Sequence, residues 1–564
     1  MSGSTLLARP PKPRRYASAS ITLWDLLSVP DVGGLVLDNL RAGHQAMLGS
    51  VSKRGKQLVE QVVVTEHLRL SDCLEVDVPV LRTLVQRAIA RGAPFKAVDI
   101  SGCQQLRTRW PEVEAILVGL GRLRSLRMEG GPLVLVNAHQ AAGLVQRLSS
   151  IAECVSFDVE GRDVKDAGAE ALAATLRDAN CKLHTLDIAD NDVADAGVQA
   201  VAAALRDVNC KLQALDIAGN GVGDAGAEAL AAALRDANCK LQTLTISRNG
   251  ISDAGAEALA AALRDAHCKL HTLDISGNEV GETGVEALAA ALRDAHCKLH
   301  TLDISDNDVG DAGAEALAAA LRDANCKLQA LHIDYNDVDD AGAQAIAAAL
   351  RDANCKLQAL DISNNGVGVV AEPLAASLRD ANCKLQALHI NYNDVGDAGA
   401  EALAAALRHA NCKLHTLDIA DNDVGHAGTE ALAAALGDAN CKLHTLDIGN
   451  NDVGDAGAAA LAVALRHANC KLHKLDIDGN DVGNYGADAL AAALRHANCK
   501  LHTLNIADNN VGDAGAEALA VALRDANCKL HTLDIGENVV GDAGEEALAM
   551  ALRDANCNLQ TLQS

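Results

Sequence analysis

The sequence predicts an α/β solenoid, a stack of short strand–helix units, and two observations lead to this fold class. The first is a 29-residue sequence, LHTLDIADNDVADAGVQAVAAALRDVNCK from Leu183, which returns nearly unchanged to the end of the 564-residue chain. The second is that each copy holds one strand-like and one helix-like segment. A repeat of this length indicates units that bury a continuous core between neighbours, because one unit alone cannot bury its apolar face.

Fourteen complete units and a short remnant from Leu559 make up the predicted array, residues 154–564. Only the unit that begins at Leu357 differs in length, being one residue shorter. Positions within a unit are counted below from its first residue. The units begin at Cys154, Leu183, Leu212, Leu241, Leu270, Leu299, Leu328, Leu357, Leu385, Leu414, Leu443, Leu472, Leu501 and Leu530.

Each part of the unit predicts one element. The opening L-x-x-L-D-I-x-x-N alternates apolar and polar residues, which is typical of a strand. We expect the Asn at the ninth position, such as Asn220, to satisfy backbone groups where the strand turns. The following V-G-D-A-G predicts a turn whose Asp caps a helix. A-E-A-L-A-A-A-L-R-D then predicts that helix, with Leu230 and Leu234 on one buried face.

The chain before the array has a different composition. Eight of the nine prolines and both tryptophans precede residue 135. We interpret residues 1–20, which contain no acidic side chain, as a disordered leader, with an organelle transit peptide as the alternative. Within residues 61–153, the sequences that begin at Phe95 and Leu123 are degenerate versions of the repeat opening. We therefore predict degenerate repeats or a cap there, because the terminal units of solenoids are usually atypical.

The recurring L-x-x-L-x-I-x-x-N, in register over roughly residues 95–564, resembles the leucine-rich repeat family in its ribonuclease-inhibitor-like class. The resemblance implies a horseshoe with a parallel sheet on the concave side and helices on the convex side. Such proteins bind other proteins, so the expected function is a non-enzymatic protein–protein interaction adaptor.

Residues 29–58, within a predicted helical motif at 21–60, resemble an F-box. The sequence departs from that family at Gly55, where Trp is usual, and at Gly33 and Gly34, which weaken the first helix. The resemblance implies docking on the Skp adaptor of a cullin–RING ubiquitin ligase, and the alternative is a helical cap on the solenoid. The residues expected to contact the adaptor are Pro30, Asp31, Leu35, Leu40, Leu48 and Val51.

Charge and cysteine content narrow the partners and the compartment. Residues 1–150 carry 19 basic and 12 acidic residues, a net charge of +7, whereas residues 151–564 carry 30 and 63, a net charge of −33. An acidic array argues against nucleic-acid binding and favours basic protein partners. Fourteen of the 17 cysteines share one repeat position, which suits a reducing cytoplasm, with the nucleus as a second possibility. No apolar run reaches the ~20 residues of a membrane-spanning helix.

The fifth position of each unit is expected to face the concave side. Neighbouring parallel strands lie ~4.8 Å apart, so the carboxylates of this row would repel one another. One interpretation is a docking strip for a basic partner, and the other is a solvated face copied with the repeat. The strip comprises Asp187, Asp216, Asp274, Asp303, Asp361, Asp418, Asp447 and Asp476.

Two repeats depart from the acidic pattern. His332 and His389 replace the fifth-position Asp, and Tyr335 and Tyr392 follow each of them by three residues. Tyrosine is a favoured interface anchor, so we predict partner contacts here, the alternative being drift in one unit followed by duplication. Arg248 is a weaker candidate for the same surface.

Two further patterns bear on chemistry. Cys-x-x-His recurs in eight units at a spacing that can bind zinc, but each pair brackets an inward Leu, so we expect no metal and no cofactor. Repeated side chains do not converge on one pocket, so an enzyme is not expected. The remaining alternatives to a ubiquitin-ligase adaptor are a binding scaffold without ligase attachment and a Ran GTPase-activating-like regulator, whose repeats are similar.

Overall fold

The computed structural model describes residues 164–366 and 371–563 in full, together with the backbone of five short strands before them. The chain divides into two compact units. The N-terminal unit comprises Arg15–Glu279 and His296–Leu299, and the C-terminal unit comprises Met1–Arg14, Val280–Ala295 and His300–Ser564. The predicted leader at 1–20 and the F-box-like motif at 21–60 lie outside the described residues, apart from the strand at Thr5–Leu7.

In the N-terminal unit, consecutive strands pair in parallel, each one repeat further along the chain. Thr185 pairs with Ala214, and Asp187 with Asp216, so equivalent positions lie side by side. The strands are β2 His67–Arg69, β3 Ala97–Asp99, β4 Ser125–Arg127, β5 Ser156–Asp158, β6 Thr185–Asp187, β7 Ala214–Asp216, β8 Thr243–Thr245 and β9 Thr272–Asp274. The helices are α1 Lys165–Leu176, α2 Asp195–Leu205, α3 Asp224–Leu234 and α4 Asp253–Leu263.

The C-terminal unit repeats this arrangement, and β1 Thr5–Leu7 pairs antiparallel with its last strand. Its other strands are β10 Thr301–Asp303, β11 Ala330–His332, β12 Ala359–Asp361, β13 Ala387–His389, β14 Thr416–Asp418, β15 Thr445–Asp447, β16 Lys474–Asp476, β17 Thr503–Asn505, β18 Thr532–Asp534 and β19 Thr561–Gln563. Its helices are α5 Glu282–Leu292, α6 Gly310–Leu321, α7 Asp340–Ala349, α8 Ala371–Leu378, α9 Gly396–Leu407, α10 His426–Leu436, α11 Gly454–Leu465, α12 Asn484–Leu494, α13 Asp513–Leu523 and α14 Asp542–Ala551.

The core consists of the apolar positions that recur in every repeat. In the unit from Leu212, Leu215 on β7 and Ile217 just after it are 1% exposed. The helix residues Leu230 and Leu234 are 0% and 1% exposed, so this face of the helix is buried, as the sequence predicts. The structure therefore confirms the predicted fold class, an α/β solenoid of parallel strands alternating with helices.

The ninth-position Asn connects each repeat to the one before it. Asn220 accepts hydrogen bonds at Oδ1 from the backbone N–H groups of Asn191 and Val193, at 3.0 and 2.8 Å. Its Nδ2 donates to the carbonyl oxygens of Ile188 and Ile217, both at 3.0 Å. It also donates to the Ala218 carbonyl oxygen at 3.1 Å. These contacts confirm the predicted role, since one side chain satisfies five backbone groups where two strands end.

The turn Asp stabilises a different helix from the one expected. Asp195 is the first residue of α2, and its Oδ1 accepts from the backbone N–H groups of Gly223 and Gly226 at the start of α3, at 2.8 and 2.9 Å. The carboxylate thus caps the helix of the following repeat. A Cβ at Gly226 would lie 2.8 Å from Asp195 Oδ1, which explains the glycine. The capping expectation was wrong about which helix is capped, because the partner lies 28 and 31 residues further on.

Candidate functional site

The fifth-position row lies on the exposed face of the sheet. Each Asp in it also accepts a backbone hydrogen bond at the end of its own strand. In the N-terminal unit, Asp187, Asp216 and Asp274 are half-buried. The Oδ1 of each accepts the backbone N–H two residues on, at 3.0 Å. In the C-terminal unit, Asp303, Asp361, Asp418 and Asp447 make the same bond at 3.1 Å, and Asp476 at 3.5 Å. Sequence reasoning missed this structural role, which local Asx-turn chemistry predicts.

The eighth position, just beyond the strand, adopts a left-handed backbone. Arg248 has φ 53° there, as do the Asp, Asn and Gly residues of other repeats at similar values. Its guanidinium lies 3.7 Å from the carboxylate of Asp190, two repeats earlier. Both side chains are largely exposed, so this ion pair stabilises the fold little. The predicted contact residue Arg248 therefore already has an acidic neighbour on its own surface.

In the C-terminal unit, the two His substitutions produce a row of alternating charge. The fifth positions of β10 to β14 pair as Asp303 to His332, His332 to Asp361, Asp361 to His389 and His389 to Asp418. The Nδ1 of His332 lies 4.0 Å from Asp361 Oδ2, and that of His389 lies 3.3 Å from Asp418 Oδ2. We call these five residues the alternating stripe.

Neighbouring groups of the stripe shift each other's pKa values towards the charged forms. Interaction with Asp361 raises the pKa of His332, and interaction with Asp418 raises the pKa of His389, in both cases against the opposing effect of burial. Burial also opposes the shift at Asp361, but the neighbouring His332 imidazole and hydrogen bonds from Ser363 lower the pKa of that carboxyl. Each imidazole therefore favours its charged form and relieves the repulsion expected between neighbouring carboxylates.

Tyr335 and Tyr392 stand beside the stripe in an unusual conformation. They occupy the eighth position with φ 53° and 54°, where a bulky side chain costs ~1–2 kcal/mol relative to an ordinary backbone. They remain 51% and 49% exposed. The charge of Asp421, burial and a hydrogen bond to Asp421 raise the pKa of Tyr392. A strained and exposed aromatic pair gains little from packing, which is typical of a functional surface.

Asp447, Lys474, Asp476 and Asp478 form a second cluster at β15 and β16, which we call the Lys474 cluster. Burial, then the charges of Asp476 and Asp418, raise the pKa of Asp447 to about 7, and burial and Asp476 raise that of Asp478 to about 6. Lys474 replaces the usual Thr or Ala of the strand, and its Nζ lies 3.8 Å from Asp447 Oδ2 and 3.5 Å from Asp476 Oδ2. Sequence reasoning did not single out Lys474 or Asp478, although the unique Lys at the third position was a visible signal.

Three carboxylates of this cluster are close enough together to hold a metal ion. Ligand oxygens of Asp447, Asp476 and Asp478 lie within 4.8 Å of one another. The Lys474 ammonium already lies beside two of the three carboxylates, and the raised pKa values favour protonated oxygens over ionised ligands. The cluster thus supplies its own cation, and the expectation of no metal stays a prediction.

Histidines at the second position stack along the sheet edge. Ring centroids of His415, His444, His473, His502 and His531 follow one another at 5.1, 5.3, 5.2 and 5.0 Å. Burial, then the neighbouring histidines, lower the pKa of His444 and His502. We call these five residues the imidazole ladder. Sequence reasoning treated each His only with its Cys and missed the stack, which aligning the second positions would have revealed.

The Cys-x-x-His pairs separate as predicted. Cys470 is 2% exposed in the core, whereas His473 is partly exposed within the ladder. Burial raises the pKa of the Cys470 thiol, and it raises the pKa of Cys268, Cys355, Cys441 and Cys528 to about 11. The fourteen described cysteines, Cys181 to Cys557, are free thiols.

The residues predicted to contact a Skp adaptor, Pro30, Asp31, Leu35, Leu40, Leu48 and Val51, lie outside the described residues. In the part of the chain that is described, no helix combines the length and apolar character needed to cross a membrane.

Comparison with known proteins identifies the repeats. The family model described as leucine-rich repeat matches thirteen segments that together cover more than half of the chain. The segments are residues 179–202, 208–231, 237–260, 266–289, 295–318, 324–347, 353–370, 381–404, 410–433, 439–462, 468–491, 497–520 and 526–549. No curated protein sequence matches the chain. Among similar solved structures is an internalin from Listeria monocytogenes, 16% identical with a TM-score of 0.37, which covers 76% of this chain and 95% of its own.

Proposed function

Because the chain belongs to the leucine-rich repeat family, whose repeats serve protein–protein interaction, we propose that it is a non-enzymatic adaptor that holds a basic protein partner on the exposed face of its sheet. The observation that carries the proposal is the surface of β10 to β14. There, a strained tyrosine pair adjoins the alternating stripe, whereas the equivalent eighth positions of the other described repeats hold no aromatic residue.

Charge supports a basic partner. Residues 151–564 have a net charge of −33, and the acidic row presents carboxylates at successive strands. Long-range attraction of this kind accelerates association with basic proteins and weakens as salt screens it. We expect the partner to contact Asp187, Asp216, Asp274 and Arg248 in the N-terminal unit, and the stripe, the tyrosines, Asp447 and Asp476 in the C-terminal unit.

The finer proposal concerns what the adaptor serves. The F-box-like sequence at 29–58 supports attachment to a Skp adaptor, so that the bound partner becomes a substrate of a ubiquitin ligase. Buried cysteines without disulfides in repeat after repeat support a reducing compartment, so we propose the cytoplasm, with the nucleus as the second possibility.

Two measurements on the full chain test these proposals separately. A photo-crosslinking residue at position 359 on β12 should capture a bound partner, whereas the same residue at position 463, where Val463 is 60% exposed on α11, should not. Equal capture at both places would refute sheet-face binding. Purified Skp adaptor should bind the full chain and lose affinity for the Leu35→Asp, Leu40→Asp variant, and absence of binding to the unsubstituted chain would refute ligase attachment.

A further inference from the structure

We propose that Tyr335 and Tyr392 form the two walls of a binding site for an arginine side chain of the partner protein. This inference rests on the proposed function and deepens it, because it names the group by which a basic partner is recognised.

The first step is the backbone at the eighth position. In the described repeats without a Tyr at this position, the residue is Asp, Asn, Gly, Arg or Glu. These residues also have φ near 50–60°. Asp, Asn and Gly tolerate this conformation best. Tyr335 and Tyr392 accept the strain, yet about half of each side chain remains exposed. Folding therefore buries little of the apolar surface of these two rings, whereas a ligand that covers them would bury more of it.

The second step is their spacing. Tyr335 follows β11 and Tyr392 follows β13, so one repeat separates them, and Asn364 holds the eighth position in it. Two strand spacings place the two backbones about 10 Å apart. Side chains that project from backbones at this spacing can hold a cation between them within the ~6 Å of each ring centroid over which cation–π attraction acts. Asn364 leaves the space between the rings less filled than a third large side chain would.

The third step is charge. Asp421 interacts with the Tyr392 hydroxyl, and Tyr335 and Tyr392 are close enough to influence each other electrostatically. Asp337, on the loop of β11, adds another exposed carboxylate. The nearby imidazoles of His332 and His389 face Asp361 and Asp418 instead. The surroundings of the rings thus attract a cation and disfavour an anion such as phosphate.

The fourth step distinguishes arginine from lysine. A guanidinium is planar and weakly hydrated, so it stacks against an aromatic face and still donates hydrogen bonds in its own plane to carboxylates. An ammonium group is compact and strongly hydrated and loses more on leaving water. Two aromatic rings with acidic groups nearby therefore fit the planar cation better.

The test uses the full chain and two fluorescent peptides of equal length and charge, one alternating Arg with Gly and the other Lys with Gly. Binding is measured by fluorescence anisotropy at low salt. The chain should prefer the Arg peptide. The Tyr335→Asn, Tyr392→Asn variant, which places the residue native to position 364, should lose about tenfold in affinity for it, as two exposed cation–π contacts predict. Tyr335→Phe with Tyr392→Phe should retain binding, and Asp508→Asn, at the same position of a repeat without Tyr, should change it little.

The outcomes separate the two proposals. If both peptides bind equally and the double Asn variant binds them like the unsubstituted chain, the arginine site is refuted while the basic-partner proposal stands. If neither peptide binds even at low salt, the basic-partner proposal is refuted and the arginine site with it. Loss of Arg preference in the Asn variant alone, with circular dichroism unchanged, supports the site.

Discussion

Replacement of Asp447 by Asn should stabilise the protein at neutral and alkaline pH, although the wild-type side chain lies in an ion pair. The pKa of Asp447 is raised from 3.8 to about 7, mainly by burial and secondly by Asp476 and Asp418. The folded state therefore holds a proton that the unfolded chain releases, so stability falls as pH rises from about 4 to about 7. Asn does not ionise, and its Oδ1 keeps the position that accepts the Gly449 N–H at 3.1 Å.

The magnitude follows from linkage. A shift from 3.8 to about 7 corresponds to roughly 4 kcal/mol of destabilisation above pH 7, at about 1.4 kcal/mol per unit. The substitution also removes the attraction of Lys474 Nζ, 3.8 Å from Asp447 Oδ2. The side chain is 25% exposed, so solvent screens both contributions. We expect a net gain of about 1–3 kcal/mol at pH 8 that shrinks towards zero at pH 4.

Asp361→Asn is the matched control with the opposite sign. Despite burial, the neighbouring His332 imidazole and hydrogen bonds from Ser363 lower its pKa, so the charged carboxylate stabilises the fold above pH 4. Its loss should cost roughly 1 kcal/mol at neutral pH, as expected for a partly buried ion pair, and less as pH falls through the folded pKa.

The assay is urea unfolding between pH 4 and 8.5, combined with amide hydrogen exchange of β15 and β16. Because repeat arrays can unfold in parts, hydrogen exchange shows whether the change in stability occurs in the repeats that contain Asp447 and Asp476. The reasoning is refuted if Asp447→Asn destabilises at pH 8, or if its gain is the same at pH 4.5 and pH 8.

Three other predictions follow from the same structure. Asn480→Ala should destabilise by about 3 kcal/mol in urea unfolding, because Asn480 is fully buried and loss of its side chain leaves four backbone groups without partners. His444→Gln with His502→Gln should flatten the loss of stability between pH 6.5 and 5, because both lowered pKa values make the folded state resist protonation; an unchanged thermal-melting profile in acid would contradict this. Asp513→Ala should cost about 1 kcal/mol and speed exchange at the start of α14, not of its own helix α13, because Asp513 accepts from Gly541 and Gly544.

Much of the scaffold could be predicted from one unit of sequence. The buried Leu and Ile positions, the strand followed by a helix, and the backbone-binding Asn each follow from local pattern and chemistry. Asn220 illustrates why, because the groups it satisfies lie at strand ends whose place in the unit is fixed. The repeat then copies the result along the array.

Contacts between repeats were harder to predict. Asp195 caps a helix 28 residues further on, a distance at which a single unit offers no spacing rule. The imidazole ladder and the Lys474 cluster also depend on which residues occupy equivalent positions of adjacent repeats. The sequence contains these residues, but they interact only because the parallel register places equivalent positions of adjacent repeats side by side.

The two interpretations of the acidic row are compatible, because each carboxylate has two oxygens. The Oδ1 atoms of Asp361, Asp418 and Asp447 accept the backbone N–H two residues on, which makes Asp part of the scaffold. Their Oδ2 atoms lie near different groups, the imidazoles of His332 and His389 in the stripe and the ammonium of Lys474 beyond it. The repeat therefore copies Asp for its first oxygen, while substitutions in neighbouring strands decide what the second can bind. An Asn at these positions preserves the strand end and removes the charge, so paired Asp→Asn variants separate binding from folding residue by residue.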